Sequence, residues 1–114
     1  MTFSESIQPL KVTEKDNLPE IDYYNIKKAA MILRALNHEL RQRIIITIHE
    51  NKRLTVTQIY VKQRLEQSVA SQHLGILRKA GIVSAQREGK FIYYLINYSR
   101  IIEINQYSKN MGEV

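Results

Sequence analysis

The sequence predicts a mostly helical domain in which four helices precede a small β-hairpin and a last helix. Three observations carry this prediction. Apolar residues recur at helical spacing in successive segments between residues 23 and 110. Two β-rich runs, 82–87 and 91–96, are joined by Glu88-Gly89-Lys90, which is a tight hairpin signal. The segment 67–80 carries short polar side chains where most surface helices carry long charged ones.

Length and charge favour a single domain with a polyanionic partner. A chain of 114 residues buries a modest core, and oligomerisation would add to its stability. The net charge of +6 is unevenly distributed: residues 1–22 carry −3, whereas residues 37–96 hold ten basic and four acidic residues. This basic excess favours nucleic acid, with ordinary solubilising charge as the alternative.

Composition also excludes several classes of function. The chain has no cysteine, so disulfides, thiolate catalysis, Cys-ligated metal and thiol redox sensing are excluded. Its apolar runs are too short to cross a membrane, and we expect a cytoplasmic protein without a membrane partner. No glycine-rich phosphate loop or carboxylate pair occurs, and Ser71 and His73 point about 160° apart on their helix. The sequence therefore predicts no enzyme.

The domain itself is predicted to span residues 23–110. Residues 1–22 are polar, contain Pro9 and Pro19 and show no sustained period, which predicts a flexible or partly ordered arm. Residues 111–114 are predicted to be a short tail.

Apolar periodicity predicts the first two helices. The first, over residues 23–36, has an apolar surface wider than one stripe and therefore needs two packing partners. Asn37 is expected to cap the second, which runs from His38 to about Glu50. The apolar positions of the two helices are Ile26, Ala29, Ala30, Leu33, Leu36, Leu40, Ile44, Ile45 and Ile48.

The next two helices form a helix-turn-helix, and the hairpin behind them is a wing. Thr55-Val56-Thr57-Gln58 is a Thr-x-x-Gln capping box that opens a third helix to about Gln63. The fourth helix runs from about Gln67 to Ala80 and ends at Gly81, the residue expected in a left-handed cap. The last helix runs from Asn97 to about Asn110.

The fourth helix has two opposed faces, and its polar face suits the major groove of DNA. Ala70, Leu74 and Leu77 are predicted to face the core. Short hydroxyl and amide side chains on the other face allow close approach and hydrogen bonds to base edges, and Gly75 removes a side chain there. The predicted DNA-binding residues are Gln67, Ser68, Ser71, Gln72 and Lys79, with Arg87 and Lys90 beside the hairpin turn.

The histidines and the remaining basic residues of the helices are weaker candidates for a functional role. His73 falls on the apolar face, which predicts a buried or half-buried structural histidine. His38 and His49 are too far apart to share a metal, and we expect surface or capping roles for them. Weaker phosphate-binding candidates are Arg41, Lys62, Arg64 and Arg78.

In this order and spacing, the motifs resemble the ArsR/SmtB-type winged-helix repressors over roughly residues 24–108. The matching segments are Ile32–Arg41, Gln67–Leu74, Leu77–Val83, Arg87–Lys90 and Tyr93–Leu95. The resemblance implies a homodimeric repressor that binds double-stranded DNA at an inverted repeat until an effector releases it. It also implies dimerisation through the first and last helices, with the interface residues Ile26, Ala30, Leu33, Tyr98, Ile101, Ile102 and Tyr107.

The metal-binding motifs of that family are missing. Its Cys-Val-Cys corresponds here to Thr55-Val56-Thr57, and hydroxyls do not hold a soft metal. Its Asp-x-His and His-x-x-His on the last helix correspond to 97–99 and 110–113, where only Glu113 is a charged ligand. We therefore expect no metal, no cofactor and an effector of unknown kind.

One departure concerns the start of the recognition helix and leaves a second function open. Glu66 stands where the family usually has a serine N-cap; glutamate caps poorly, and its charge is unfavourable near DNA. A sequence-specific DNA-binding transcriptional regulator is the predicted function. The alternative is a winged-helix module that uses the same face or the wing to bind a protein, for which Glu66 and the acidic arm are the support.

Overall fold

The structure is a computed structural model that describes residues 17–113. Within these residues the chain forms five helices and a three-stranded antiparallel sheet, which confirms the predicted fold class. The elements are α1 Tyr23–Leu36, α2 Glu39–Asn51, β1 Arg53–Thr55, α3 Val56–Gln63, α4 Gln67–Lys79, β2 Val83–Glu88, β3 Phe91–Ile96 and α5 Tyr98–Gly112. Most of the predicted arm, residues 1–16, and the tail residue Val114 lie outside the described residues.

The hydrophobic core lies in the second of two units, which divide between Ala30 and Met31 within α1. The inward positions predicted for α2 and α4 are confirmed. Helices α2, α3 and α4 each contribute aliphatic side chains of at most 1 % exposure: Ile44, Ile48, Ile59, Leu74 and Leu77. No helix within residues 17–113 is both long and apolar enough to cross a membrane.

Side-chain caps determine the starts of α2 and α5. The prediction that Asn37 caps α2 is wrong. The cap is His38, whose backbone is extended and whose Nδ1 accepts a hydrogen bond from the Arg41 backbone N at 3.4 Å. Asn97 caps α5 through Oδ1, which accepts from the Arg100 backbone N at 3.3 Å, so the helix begins one residue later than predicted.

The capping box at the start of α3 is confirmed. The Thr55 hydroxyl accepts a hydrogen bond from the Gln58 backbone N at 3.2 Å, and the Thr55 backbone N donates to Gln58 Oε1 at 2.9 Å. Both bonds satisfy donors that the first turn leaves free.

Replacing Thr55 by alanine is expected to lower the free energy of unfolding by about 1 kcal/mol, because the cap is lost while its donors remain. Urea denaturation followed by circular dichroism measures the change. Thr57→Ala is the matched control, because Thr57 is an exposed threonine two residues further along, within α3. A control change as large as that of Thr55→Ala would contradict the capping role.

The end of α4 is also as predicted. Gly81 has φ +76°, the Gly81 N donates to the Arg78 carbonyl at 2.9 Å, and the Ile82 N donates to the Leu77 carbonyl at 3.0 Å. These are the two bonds of a Schellman motif, which requires a left-handed residue at this place. The motif directs the chain from α4 straight into β2.

Strand β1 was not predicted. It pairs with β3, which lies between β1 and β2, and places buried Leu54 opposite half-buried Tyr94. A three-residue strand is too short for alternation to indicate it, and its partner strand is distant in the sequence. Through this pairing, the wing is hydrogen-bonded to the strand that directly precedes α3, the first helix of the helix-turn-helix.

Candidate nucleic-acid interface

Helix α4 presents its short polar residues to solvent, as predicted. Ala70, Leu74 and Leu77 anchor the opposite face in the core. Nothing lies within 4 Å of a Cβ placed on Gly75, so the outer surface is open there. The exposed residues of this face are Gln67, Ser68, Ser71, Gln72, Gly75 and Lys79. We call this surface the recognition face.

The turn between α3 and α4 determines the direction in which α4 and its recognition face leave α3. Arg64 adopts a left-handed conformation with φ 54°, and the Leu65 N donates to the Tyr60 carbonyl at 2.9 Å. This ends α3 sharply and redirects the chain within a few residues. Glu66 makes no side-chain hydrogen bond to the first turn of α4, which agrees with the expectation that glutamate caps poorly.

The wing tip carries two cations and two exposed apolar side chains. Gly89 has φ +61° in a two-residue turn between Glu88 and Phe91, as a type II′ hairpin requires. Arg87 and Lys90 are exposed, and Lys90 Nζ lies 5.4 Å from the centre of the Phe91 ring. Phe91 and Ile92 were not singled out from the sequence, yet they are 49 % and 46 % exposed.

One of the weaker phosphate candidates is not available to DNA. Arg41 is only 8 % exposed and donates to the carbonyls of Ala35 and Arg34, so its assignment as a phosphate ligand is wrong. The sequence could not show this, because a basic residue on an amphipathic helix usually points outward. The other three candidates, Lys62, Arg64 and Arg78, are exposed.

The matches to known proteins identify the class of this domain. A family model described as "Bacterial regulatory protein, arsR family" matches residues 38–85. The transcriptional repressor PagR of Bacillus anthracis is 34 % identical over 82 residues, which cover 72 % of this chain and 82 % of that protein. This chain belongs to the ArsR family. The transcriptional activator HlyU of Vibrio cholerae is 32 % identical over 85 residues, covering 75 % of this chain and 77 % of HlyU.

Solved structures agree with this assignment. The crystal structure of PagR matches with a TM-score of 0.60 and 31 % identity, covering 79 % of this chain and 99 % of that one. The crystal structure of NolR from Sinorhizobium fredii matches with a TM-score of 0.62 and 28 % identity, covering 95 % of this chain and 100 % of that one. The protein is a DNA-binding transcriptional regulator, and these relatives do not support the alternative of a protein-interaction module.

The residues that replace the metal ligands of the ArsR family do not fit a metal. The Thr55 hydroxyl is occupied by the capping box, and Asn97 Oδ1 caps α5 and accepts a hydrogen bond from Ser99 Oγ at 2.8 Å. Hydroxyl and amide oxygens without a thiolate or imidazole are weak ligands for transition metals. Among residues 17–113, no three His, Cys, Asp or Glu side chains lie close enough together to hold an ion.

The three histidines of this ArsR-family regulator have different surroundings. His49 Nδ1 lies 2.7 Å from the Tyr98 hydroxyl and is exposed. His73 is half-buried, as predicted: its Nδ1 lies 3.3 Å from Arg41 Nη1, and its ring centre lies 5.0 Å from that of His38.

The pKa of His73 is lowered from its ordinary value of 6.5, first by burial and then by the charges of His38 and Arg41. Folding therefore favours the neutral ring. The stability that depends on this ring is complete above pH 6.5 and is lost as the pH falls toward the lower pKa of the folded protein.

The residues predicted for dimerisation divide into two groups by exposure. Four are exposed to solvent: Ile26, Tyr98, Ile102 and Tyr107. Three are half-buried: Ala30, Leu33 and Ile101. Leu33 and Ile101 pack against the core, so only part of each side chain is available to a partner.

Proposed function

We propose that this regulator is a cytoplasmic, homodimeric repressor that binds an inverted-repeat operator and is released by an effector that is not a Cys-ligated metal. The observation that carries the proposal is the recognition face, a row of short polar side chains on a helix anchored by buried Ala70, Leu74 and Leu77. Such a face can enter the major groove without steric conflict.

The residues proposed to contact DNA have separate tasks. Gln72 is suited to bidentate pairing with adenine, and Ser68 and Ser71 are suited to bases or phosphates. Gln67 and Lys79 lie at the two ends of the face, where phosphates flank the groove. Arg87 and Lys90 at the wing tip are proposed to contact phosphates or the adjacent minor groove.

The far half of α5 supports the proposed dimer. Every residue from Asn105 to Glu113 is exposed, and Tyr107 and Met111 are apolar. A helical end whose residues are all exposed is only marginally stable in water, because helices gain most of their stability from tertiary contacts. A second copy of the chain would cover this segment and the exposed Ile102.

A competition mobility-shift assay tests the proposed function. The probe is a duplex from the region upstream of the protein's own gene, and the competitor is a scrambled duplex of equal composition. We expect a Kd of about 10⁻⁸ M or tighter and a steep loss of affinity with salt. Equal competition by the scrambled duplex would contradict sequence-specific binding.

The proposed dimer is tested by Ile102→Glu. An unpaired charge in an apolar interface is expected to raise the dimer Kd by about 100-fold or more. Sedimentation velocity measures the change. Ile46→Glu is the matched control, because Ile46 is a 55 % exposed isoleucine on α2, outside the two helices proposed to form the interface. A monomeric native chain, or a dimer that tolerates Ile102→Glu, would count against the proposal.

A further inference from the structure

Among the described residues, Arg41 is the one buried residue that carries a permanent charge. It lies in the first turn of α2 and is 8 % exposed. Its Nε donates to the Ala35 carbonyl at 2.6 Å, and its Nη2 donates to the Arg34 carbonyl at 3.0 Å. These carbonyls belong to the last turn of α1, where a helix leaves its acceptors unpaired. Arg41 therefore holds the end of α1 against the start of α2.

The same guanidinium reaches the recognition helix. Arg41 Nη1 lies 3.3 Å from Nδ1 of His73, which projects from α4 on the side away from the recognition face. A guanidinium can only donate hydrogen bonds, so this contact requires His73 Nδ1 to be an unprotonated acceptor. Arg41 thus joins α1, α2 and α4 through one side chain.

His38 packs beside the His73 ring. Its Nδ1 accepts the N-cap hydrogen bond from the Arg41 backbone N at 3.4 Å, and its ring centre lies 5.0 Å from that of His73. A protonated imidazole donates from both nitrogens, so the contact between Arg41 and His73 does not survive protonation of His73 at Nδ1.

We propose that His38, Arg41 and His73 form a proton-sensitive link that positions the recognition helix, so that acidification weakens sequence-specific DNA binding. The inference rests on the proposed function, since it assigns a means of regulation to the same DNA-binding surface. His73 acts here as a positioning residue, because it lies behind the recognition face and acts through Arg41.

The charges around the two rings favour this response. The groups that face His73 from the start of α2 are Arg41 and the N-cap residue His38. The α1 carbonyls of Arg34 and Ala35 accept hydrogen bonds from Arg41. Within residues 17–113, neither ring has a carboxylate partner, and the nearby Glu39 is paired with Arg43 at 2.8 Å. A second positive charge would therefore meet repulsion without compensation. Relief of that repulsion would separate α4 from the end of α1.

The direction in which acidification changes DNA affinity distinguishes this link from general electrostatic attraction to phosphates. Protonating a histidine adds positive charge, and added positive charge strengthens nonspecific attraction to phosphates. The link acts in the opposite direction, because it alters the orientation of the recognition face and not its charge. The chain has three histidines, so one lies outside the cluster and serves as a control.

The test measures the Kd for the upstream duplex at pH 7.5 and pH 5.5 in the wild type and two variants. His73→Gln keeps a hydrogen-bond acceptor but does not titrate, and His49→Gln alters the histidine outside the cluster. We expect the wild type and His49→Gln to lose about threefold in affinity at pH 5.5, because His73 is then partly protonated in the free protein and its protonation weakens binding. In His73→Gln, the loss is expected to shrink to less than about 1.5-fold.

The possible results distinguish failure of the proposed function from failure of the proton-sensitive link. Absence of specific binding at pH 7.5 overturns the proposed function and this inference with it. Specific binding at pH 7.5 that does not weaken at pH 5.5, or that weakens equally in His73→Gln, overturns the inference alone. Loss of helical circular dichroism in the wild type at pH 5.5 also overturns it, because binding would then fail through unfolding.

A second measurement on the wild type covers the case in which the variants do not fold. Proton linkage is reciprocal, so if protonation weakens DNA binding, DNA must lower the pKa of His73. NMR titration of the histidine Cε1 protons, with and without the duplex, measures this shift. An unchanged or raised His73 pKa in the complex would overturn the inference.

Discussion

Replacing Ser71 and Gln72 together by alanine is expected to weaken binding to the operator by about 100-fold, since a good bidentate base contact contributes about 1–3 kcal/mol and each 1.4 kcal/mol is tenfold in Kd. Both side chains are exposed on the recognition face. Alanine favours the helix, so the fold and its thermal stability should be retained.

The loss should be specific to the operator. Affinity for a scrambled duplex should change by less than about threefold, because nonspecific binding comes from phosphate contacts. Asn37→Ala is the control for removing an exposed amide side chain, since Asn37 lies between α1 and α2, outside the recognition face. If the double variant lost affinity equally for both duplexes, Ser71 and Gln72 would not read bases.

Leu74→Ala is expected to lower the free energy of unfolding by about 2–5 kcal/mol, because it removes buried methyl groups and leaves a cavity. Leu74 is 1 % exposed and lies on the buried side of the recognition helix. That loss is a large fraction of the stability of a small domain, about 5–15 kcal/mol. DNA binding should therefore fail at temperatures that the wild type tolerates.

Urea denaturation at pH 7.5 measures this change. Val61→Ala is the matched control, because Val61 is an aliphatic side chain of the neighbouring helix that is 64 % exposed. Its effect should stay within about 0.5 kcal/mol. Similar losses in the two variants would mean that Leu74 is not part of the core that supports α4.

Local signals in the sequence were enough to predict most of the elements. Thr55 and Gln58 form the predicted capping box, and Gly81 adopts the predicted left-handed conformation. The buried and exposed faces of α4 are also the two opposed faces that the sequence predicts. Caps, turns and helical periodicity involve residues within a few positions of each other, so their energies can be read from a short segment.

The N-cap of α2 could not be predicted from the neighbouring sequence alone. A ring nitrogen replaces the side-chain oxygen expected from Asn37, although asparagine is the better N-cap by propensity. His38 also contacts His73, and a contact between two helices is invisible to a propensity scale.

The sequence by itself determined the order of the helices and the wing, the recognition face of α4 and the absence of thiolate ligands. Only the tertiary structure decided that Arg41 is a buried link and not a phosphate ligand, and that β1 adds a third strand to the wing. The reason is distance along the chain: Arg41 and His73 are 32 residues apart, and β1 pairs with β3 across two helices. Such partners are brought together by packing of the core, which no local pattern encodes.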